Sequence, residues 1–362
     1  MGRARPVVLL GAVAATAGFA SNAAALTPPP PDLGCVYSGP PENRVTFTIG
    51  TGEETVLVRR EGNEIKLLSE HDQGTVKRKG RRKRTVWRRV FTAAQCNATP
   101  TVQNTDAIRI RIEAEEIVDL DVSLEGGPLA PGATPEGDGT PEIETEVQQL
   151  TDYGHTVRLV GTQGTDWFRF GATGGTPFTP AVNLNAQDEG PSPDADVTVL
   201  PLPRGGSGGF SLPGLVLAPA GGDDRVTTAG GPEFGAPSPF APLISGGPGN
   251  DVLSTVGSGW SITKGGGGND LIEAGSGHNL LLGGAGGDTI IGGPNRDSVE
   301  PGKGRDKAIL GDGFDLVAAL DHRRDRINCG PHVDLVAKDR KDRTPGCERR
   351  IFRPFHLKIF TD

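Results

Sequence analysis

The chain has 362 residues, a formal net charge of −8 and only 5% aromatic residues, and it contains 55 glycines and 30 prolines. So few aromatic side chains argue against a large conventional globular core, and this density of glycine and proline is typical of a turn-rich protein. The net charge favours solubility and is weakly consistent with cation binding.

The N-terminal segment from Met1 to Ala25 has the organisation of a secretory signal peptide. Arg3 and Arg5 precede an apolar run from Val7 to Ala20, and an A-x-A cleavage site ends at Ala25. The run is shorter than the ~20 residues that a membrane-spanning helix needs. Cleavage after Ala25 is therefore favoured over an uncleaved anchor. The mature protein is expected to be secreted or to lie at the cell surface, with no transmembrane anchor.

Residues 26–227 are predicted to form a β-rich head region. Apolar residues alternate at Val45, Phe47 and Ile49, and the same period recurs in the segments 108–112 and 118–124. A period of two indicates half-buried strands. No stretch of twelve or more residues combines helical periodicity with caps, so the predicted fold class is all-β.

The strongest charge run is Lys77–Arg89, which holds nine Lys or Arg in 13 residues. Such a run is consistent with binding of an anionic polymer or polysaccharide. The alternative, which we favour, is a solvated hairpin tip between a strand near residue 67 and one near residue 90. An exported protein is not expected to have nucleic acid as its partner.

Later parts of the head contain degenerate copies of a repeat unit built from glycine and aspartate. Asp166 lies in a G-x-x-G-x-D frame, and Asp224 is followed by Val226 in a similar relation. These units are expected to keep a coiled path, and neither aspartate is assigned as a metal ligand. The Pro/Gly-rich segment 228–245 is either a linker or a loop on a continuous solenoid.

The segment 246–318 is a series of nonapeptides with the pattern G-G-x-G-x-D-x-aliphatic-x. Glycine permits the left-handed backbone conformations and close approaches of a tight turn, and the short strand that follows points its aliphatic side chain inward. Two nonapeptides close one coil of 18 residues, so turns 18 apart stack at ~4.8 Å. The predicted inward residues are Leu253, Ile272, Leu281, Ile290, Val299, Ala308 and Val317.

Because one coil contains two nonapeptides, the residues at position six of successive nonapeptides fall alternately on two edges of the solenoid. Edge one carries Asp270, Asp288 and Asp306. Asp251 begins this row, but the extra residue Thr255 breaks the regular spacing between Asp251 and Asp270, so the participation of Asp251 is open. On edge two the sequence Ser261, Asn279, Asp297, Asp315 has lost two carboxylates, and only its last pair is expected to be a strong site.

These nonapeptides resemble the RTX family, the hemolysin-type calcium-binding repeats. The resemblance implies a parallel β-roll that binds Ca²⁺ between stacked turns, and Ca²⁺ takes six to eight oxygen ligands from carboxylates and carbonyls. An N-terminal signal departs from the family's habit of export through a C-terminal signal. The predicted metal ligands are Asp251, Asp270, Asp288, Asp297, Asp306, Asp315 and Asn279, with backbone groups of Gly265, Gly267, Gly283 and Gly292.

Residues 319–362 are predicted to cap the solenoid. Charged residues replace the turn glycines there, and a solenoid needs a polar or covalent cap at its end. Export implies an oxidising environment, and four cysteines allow three connectivities. We favour Cys35–Cys96 and Cys329–Cys347, since each pair lies within one module and the second pair is separated by one full coil.

Enzymatic motifs give no support for catalysis. There is no H-E-x-x-H, and the one G-x-S-x-G match, at 205–209, lies in a glycine-rich stretch with no strand-to-helix context. The sequence therefore predicts an exported, non-enzymatic, calcium-binding β-solenoid with a structural or adhesive role. A toxin- or hydrolase-like effector with the repeats as carrier, and anionic-polymer binding through Lys77–Arg89, are the alternatives.

Overall fold

The computed structural model describes residues 33–50, 55–79, 82–127, 143–173, 179–184, 196–203, 210–211, 214–228, 240–347 and 349–351. The predicted signal peptide and cleavage site, the G-x-S-x-G match at 205–209, most of the segment 228–239 and the tail 352–362 lie outside these residues. In the described part of the chain we find strands, turns and bends, and no helix that could cross a membrane. The all-β prediction is confirmed.

The described residues form twenty-nine strands, numbered along the chain, in two long sheets and one small one. The first sheet contains β1 (Leu33–Ser38), β2 (Arg44–Ile49), β6 (Gln95–Cys96), β7 (Ala107–Ile112), β9 (Glu144–Gln149), β11 (Trp167–Thr173), β12 (Thr179–Asn183), β13 (Val197–Leu200), β17 (Arg225–Thr228), β19 (Val252–Ser254), β21 (Leu271–Glu273), β23 (Thr289–Ile291), β25 (Lys307–Ile309) and β27 (Arg326–Asn328).

The second sheet contains β3 (Thr55–Glu61), β4 (Glu64–Lys79), β5 (Arg82–Ala93), β8 (Asp119–Ser123), β10 (Thr156–Val160), β16 (Gly214–Ala218), β18 (Phe240–Pro248), β20 (Trp260–Gly267), β22 (Leu280–Gly286), β24 (Ser298–Gly304), β26 (Leu316–Ala319), β28 (Leu335–Lys338) and β29 (Arg349–Ile351). The small sheet pairs β14 (Leu202–Pro203) with β15 (Phe210–Ser211).

From β19 to β28 the chain alternates between the two long sheets and winds a parallel solenoid. Leu271 pairs with Thr289 and Thr289 with Lys307, so successive coils follow the period that two nonapeptides predict. The same parallel pairing continues upstream, where β17 pairs with β11 and β16 with β10. The head and the glycine-rich repeats therefore share the same two sheets.

The core lies between the two sheets. All seven aliphatic side chains predicted to point inward are buried, and one hydrophobic cluster extends from Cys35 to Cys347. The head contributes larger members to this cluster, including Phe47 and Phe168. Most short strands of the repeat coils contribute one aliphatic residue, and β20 buries Ser261 and Thr263 instead. The repeat region thus buries little apolar surface per residue, and other interactions must hold its coils together.

Antiparallel strands interrupt the solenoid pattern in the head. β1 and β2 pair antiparallel, as do β3 and β4, and β12 pairs antiparallel with both β11 and β13. β4 and β5 are neighbours in the second sheet, and together they contain the basic run except for residues 80 and 81. Their outer parts, residues 72–88, belong to a second compact unit. The side chains of residues 71–87 lie outside the description.

Both predicted disulfides are present. Cys35 and Cys96 are register partners on β1 and β6, with their Cα atoms 4.6 Å apart. Cys329 and Cys347 are joined across one coil of the C-terminal part, with Cα atoms 5.2 Å apart. A covalent link therefore closes a module near each end of the described chain.

Candidate metal centre

Edge one is the row of turns through which the chain passes from the second sheet to the first. Each turn ends in an aspartate whose backbone N–H donates a hydrogen bond to Oδ1 of the aspartate one coil further along, over distances of 2.8 to 3.1 Å. This ladder consists of Asp166, Asp224, Asp251, Asp270, Asp288, Asp306, Asp325 and Asp342.

The second carboxylate oxygen distinguishes the interior of the ladder from its ends. For the six interior aspartates, from Asp224 to Asp325, Oδ2 is buried and has no hydrogen-bond donor among the described residues. At the start, Thr162 donates to Asp166 Oδ2 through its N–H at 2.7 Å and its hydroxyl at 3.0 Å. At the end, the Asp339 N–H donates to Asp342 Oδ2 at 3.0 Å. The ladder therefore has six acceptor atoms in its interior that lack a described donor.

A glycine at position one of the turn faces the free Oδ2 atoms of Asp251, Asp270 and Asp288. A Cβ atom added at Gly265 would lie 2.3 Å from Asp270 Oδ2 and 2.5 Å from the carbonyl oxygen of Gly283, one coil further. The turn that begins at Gly246 repeats this arrangement. A carboxylate oxygen and a backbone carbonyl oxygen of the next coil thus converge on the same bare Cα atom.

The second glycine of the turn is required by its backbone conformation. Gly266 has a φ of +124°, and a Cβ atom there would lie 2.1 Å from the carbonyl oxygen of Gly247. No other residue accommodates both constraints at low cost. The Gly267 carbonyl accepts a hydrogen bond from Gly249 N–H at 2.6 Å, so these turns stack through their backbones with carbonyl oxygens concentrated along the edge.

Burial raises the pKa of the ladder carboxyl groups. The pKa of Asp306 rises to about 7, because of burial first and of neighbouring carboxylates second, while the hydrogen bond from Asp288 N–H opposes the rise. The same causes raise the pKa values of Asp224, Asp251, Asp288 and Asp325 to about 6, and burial also raises the pKa of Asp270. Carboxyl groups with such pKa values are partly ionised at neutral pH. Buried in a row, these carboxylates need a nearby positive charge to stabilise them.

Edge two, where the chain returns to the second sheet, carries a second ladder. Asn279 N–H donates to Asp297 Oδ1 at 2.9 Å, Asp297 N–H to Asp315 Oδ1 at 2.8 Å, and Asp315 N–H to Asp334 Oδ1 at 2.9 Å. Asp297 Oδ2 accepts a hydrogen bond from Gly293 N–H, whereas Asp315 Oδ2 is buried without a described donor. Burial raises the pKa of Asp315 to about 7.

Asn279 provides hydrogen-bond donors to the oxygens of edge two from within the protein. Its Nδ2 donates to the carbonyl oxygens of Gly275 and Gly277 and to Asp297 Oδ1, at 3.1, 3.0 and 2.9 Å, while its Oδ1 accepts from the Ser261 hydroxyl. One amide group therefore meets two turn carbonyls and a carboxylate, the same classes of oxygen that converge on edge one.

His155 shows that stacking alone needs only one acceptor. It precedes β10 as Asp297 precedes β24, and its Nδ1 accepts a hydrogen bond from Val118 N–H at 3.2 Å. Burial lowers the pKa of His155. A neutral ring with one acceptor nitrogen thus links two coils, and the second oxygen of each edge-one aspartate is not needed for this link.

The predicted ligand residues lie on the edges that a period of 18 residues per coil predicts. Asp251 joins the edge-one ladder with the same geometry as its neighbours. Thr255, the extra residue, lies in the edge-two turn, where its N–H donates to Glu273 and its hydroxyl accepts from Gly275 N–H. The insertion therefore leaves edge one in register and falls at the end of edge two where Ser261 and Asn279 replace aspartate.

Five aspartates of the two ladders were not among the predicted ligands. Asp166 and Asp224 are separated by 58 residues and Asp224 and Asp251 by 27. These intervals are irregular, so the sequence gives no sign that the three aspartates stack on one edge. The downstream members lie where charged residues replace glycine, and the Asp-x-aliphatic order is the only signal left there. These five residues are Asp166, Asp224, Asp325, Asp334 and Asp342.

The donor set fits a hard divalent cation. In the described residues no group of three or more His, Cys, Asp or Glu side chains converges on one point, so a zinc-like site is not formed there. Edge one instead offers one carboxylate per coil together with backbone carbonyl oxygens, which are ligands that Ca²⁺ prefers.

Comparison with known proteins agrees with this chemistry. Residues 264–299 match the family model of the RTX calcium-binding nonapeptide repeat, which describes four copies of the repeat. No curated protein matches the chain. RTX nonapeptide repeats bind Ca²⁺, and the matched segment contains Asp270 and Asp288 of edge one and Asn279 and Asp297 of edge two.

Proposed function

We propose that this protein, in which residues 264–299 are RTX calcium-binding nonapeptide repeats, is an exported structural protein whose coils become ordered when Ca²⁺ binds along edge one. The principal ligands in this proposal are Asp251, Asp270, Asp288 and Asp306, with carbonyl groups of turn glycines such as Gly265, Gly267 and Gly283. On edge two, Asp297, Asp315, Asn279 and Gly292 line the corresponding turns.

One observation carries the proposal. Six buried carboxylates follow each other coil after coil, and each has an oxygen without a described donor. A buried anion without a partner is costly, and burial of the small core residues of the repeats offsets little of that cost. A divalent cation supplies the missing positive charge, so its binding free energy adds to the free energy of folding.

The chain's own residues prepare the turns for this role. The aspartate N–H groups fix each Oδ1, which orients the carboxyl group of the next coil and leaves its Oδ2 directed at a glycine. Ordering the backbone costs ~1–2 kcal/mol per residue, and a glycine-rich chain with repelling carboxylates does not recover that cost alone. We therefore expect the coils 246–318 to be disordered when calcium is removed.

A calcium titration of the full mature chain tests the proposal. Circular dichroism and tryptophan fluorescence are recorded from chelator up to several millimolar Ca²⁺, with Mg²⁺ as the comparison ion. Trp260 lies on β20 and is 50% exposed, so it reports on order within the repeats. We expect a cooperative gain of β signal near ~1 mM Ca²⁺, the range of extracellular calcium modules, and no gain with Mg²⁺. A chain fully folded in chelator and unaffected by calcium would overturn the proposal.

The exported location and the structural role follow from the sequence. The leader at 1–25 and the two disulfides favour an oxidising compartment, where calcium is abundant. The proposal divides the chain into the leader, a β-rich head (26–227), a loop or linker (228–245), the calcium roll (246–318) and a cap (319–362), although both sheets continue through these boundaries. No catalytic role is assigned to any residue.

The basic run Lys77–Arg89 offers a second interaction within this proposal. Arg88 and Arg89 are exposed on β5, and Arg89 forms an ion pair with Glu70 at 2.9 Å. Contact of this run with an anionic cell-surface polymer is the alternative to a solvated hairpin. A pull-down with cell-wall polymer, before and after the charges of Arg88 and its neighbours are reversed, tests this contact, and equal recovery of both proteins would contradict it.

A further inference from the structure

Six exposed basic side chains form one surface on the last coils of the solenoid. Lys307 on β25 pairs in register with Arg326 on β27, and Arg326 forms a parallel bridge with Arg343. Three more cations, Lys303, Arg305 and Arg323, lie at or beside the adjoining turns of edge one. We call these six residues the basic face.

The basic face places like charges against each other. Neighbouring strands lie ~4.8 Å apart, and like charges directly opposite in a sheet are destabilising. None of the six side chains forms an ion pair with a described carboxylate. An acidic residue of the adjoining turn, Asp321, uses its two oxygens to accept hydrogen bonds from Gly304 N–H and Arg323 N–H.

The fold itself does not require these charges. The register position of Lys307 is occupied in the preceding coils by Thr289, Leu271 and Val252. The position of Lys303 is likewise occupied upstream by Ala285, Gly267 and Pro248. The same surface is therefore uncharged over three coils and cationic over the next three, in a chain whose net charge is −8.

Two shallow depressions lie on this surface. One is lined by Lys303, Arg305 and Arg323 with the neighbouring turn glycines, and the other includes Arg326 and Arg343. Lys307, Arg326 and Arg343 thus form a strip that crosses successive coils, with one charge per coil. Such a strip matches a linear chain that carries negative charges at regular intervals.

We infer that the basic face binds a linear anionic polysaccharide, carboxylated or sulfated, along the axis of the coils. None of its described neighbours is an exposed aromatic residue that could stack on a base, since the exposed aromatic side chains of the described residues lie elsewhere, at Phe91, Tyr153, Trp260 and Phe314. Single-stranded nucleic acids are held largely by such stacking. The contact is electrostatic and weakens with salt.

The inference is tested in about 1 mM Ca²⁺, so that the coils are ordered. Binding of the full mature chain to hyaluronate and to heparin fragments is measured by calorimetry at low and high salt, with dextran as the uncharged polymer. Single-stranded DNA and phosphatidylglycerol vesicles are run in parallel. The variant R326Q/R343Q removes two charges of the basic face, and K264Q/R296Q removes two exposed charges from the second sheet and edge two.

We expect salt-sensitive binding to both anionic polysaccharides, no binding to dextran, and an affinity about tenfold weaker in R326Q/R343Q, as two exposed ionic contacts allow. K264Q/R296Q should bind like the unaltered protein. Equal loss in both variants, unaltered affinity in R326Q/R343Q, or tighter binding to DNA or vesicles than to either polysaccharide would overturn the inference. Circular dichroism of each variant in calcium verifies that it is folded.

Discussion

Edge one and edge two use the same turn and the same link between coils, but they satisfy position six differently. On edge one, the interior residues are aspartates whose Oδ2 atoms lack described donors. On edge two, the Asn279 amide supplies donors to two carbonyls and a carboxylate, and Gly293 N–H satisfies Asp297, whereas Asp315 Oδ2 lacks a described donor as on edge one. Farther upstream on this edge, His155 makes the link with a single nitrogen.

The comparison separates stacking from ion binding. Stacking requires one acceptor per coil, which aspartate, asparagine and histidine all provide. The second aspartate oxygen adds nothing to that link and leaves a buried acceptor unsatisfied, which costs ~1–3 kcal/mol when it is neutral and more when it is charged. Because this unsatisfied oxygen recurs along edge one, it indicates where a cation from solution would bind.

The largest effect is expected from removing carboxylates from the centre of edge one. In D270A/D288A two charged ligands are lost, each worth ~1.5–3 kcal/mol, so the calcium midpoint of the β signal should rise more than tenfold. D312A is the control, because it removes an exposed turn aspartate that lies outside the ladders. A double ladder variant with an unchanged midpoint would show that these residues are not ligands.

A smaller effect is expected from giving edge two the chemistry of edge one. N279D removes the three hydrogen bonds of the Nδ2 group and places a second carboxylate beside Asp297. In saturating calcium, the variant should bind about one additional ion by calorimetry. N269D, which changes an exposed turn residue, should leave the ion count unchanged. If N279D gains no ion, the equivalence of the two edges is wrong.

The ladder carboxyl groups of both edges should also make the stability of the coils depend on pH. Ladder carboxyl groups have folded-state pKa values of about 6 to 7 and unfolded values of ~3.9, so the folded state binds more protons. In chelator, the free energy of unfolding of the coils should be greatest below about pH 4 and should fall as pH rises through 6 and 7, so that the coils are disordered at neutral pH. Saturating calcium should reverse this trend, because the ion competes with protons.

Urea unfolding at several pH values measures this dependence. D306N, which keeps the Oδ1 acceptor and cannot ionise, should flatten the decline in chelator. An unaltered slope in D306N would indicate that the decline comes from other groups. N269D again provides the control, since the exposed side chain of Asn269 does not belong to either ladder.

The smallest effect on calcium is expected at His155. H155A removes an acceptor from Val118 N–H and leaves a buried donor unsatisfied, which should lower the free energy of unfolding by ~1–3 kcal/mol. The calcium midpoint of the repeats should not change. H155N, which restores an acceptor, should recover part of the stability. A shifted calcium midpoint in H155A would mean that the head and the ion-binding coils are not separable.

The sequence was sufficient to predict the repeat coils, because their glycines and aliphatic residues recur with a strict period. It placed all seven core residues and both disulfides correctly. It did not predict how far the ladder of Asp166 to Asp342 extends, because the intervals between its outer members vary from 17 to 58 residues. It also could not reveal the basic face, whose charges meet only after three coils have stacked.

At edge two, the sequence predicts one feature of Asn279 and misses another. The loss of a carboxylate at Asn279 is visible in the sequence, and it predicts a weaker site. The replacement of a ligand by an internal donor depends on the rotation of the amide group and on the positions of the Gly275 and Gly277 carbonyls. Such details arise from packing and leave no periodic signal.

The order of strands in the two sheets has a mechanical consequence. The first sheet has β6 at one end and β27 at the other, so a chain pulled from both sides carries tension through its coils in series. Each coil of two nonapeptides would lengthen by about 60 Å when it is released, at ~3.4 Å per residue. The two disulfides restrict the outermost modules, which leaves the ion-binding coils as the segments that yield.

Calcium would then set the force at which the chain extends. In single-molecule pulling we expect a series of equal steps at forces that fall when calcium is chelated, and a single large step would contradict serial yielding. A protein built in this way would absorb a pull by releasing length one coil at a time, and it would recover that length when calcium closes the coils again.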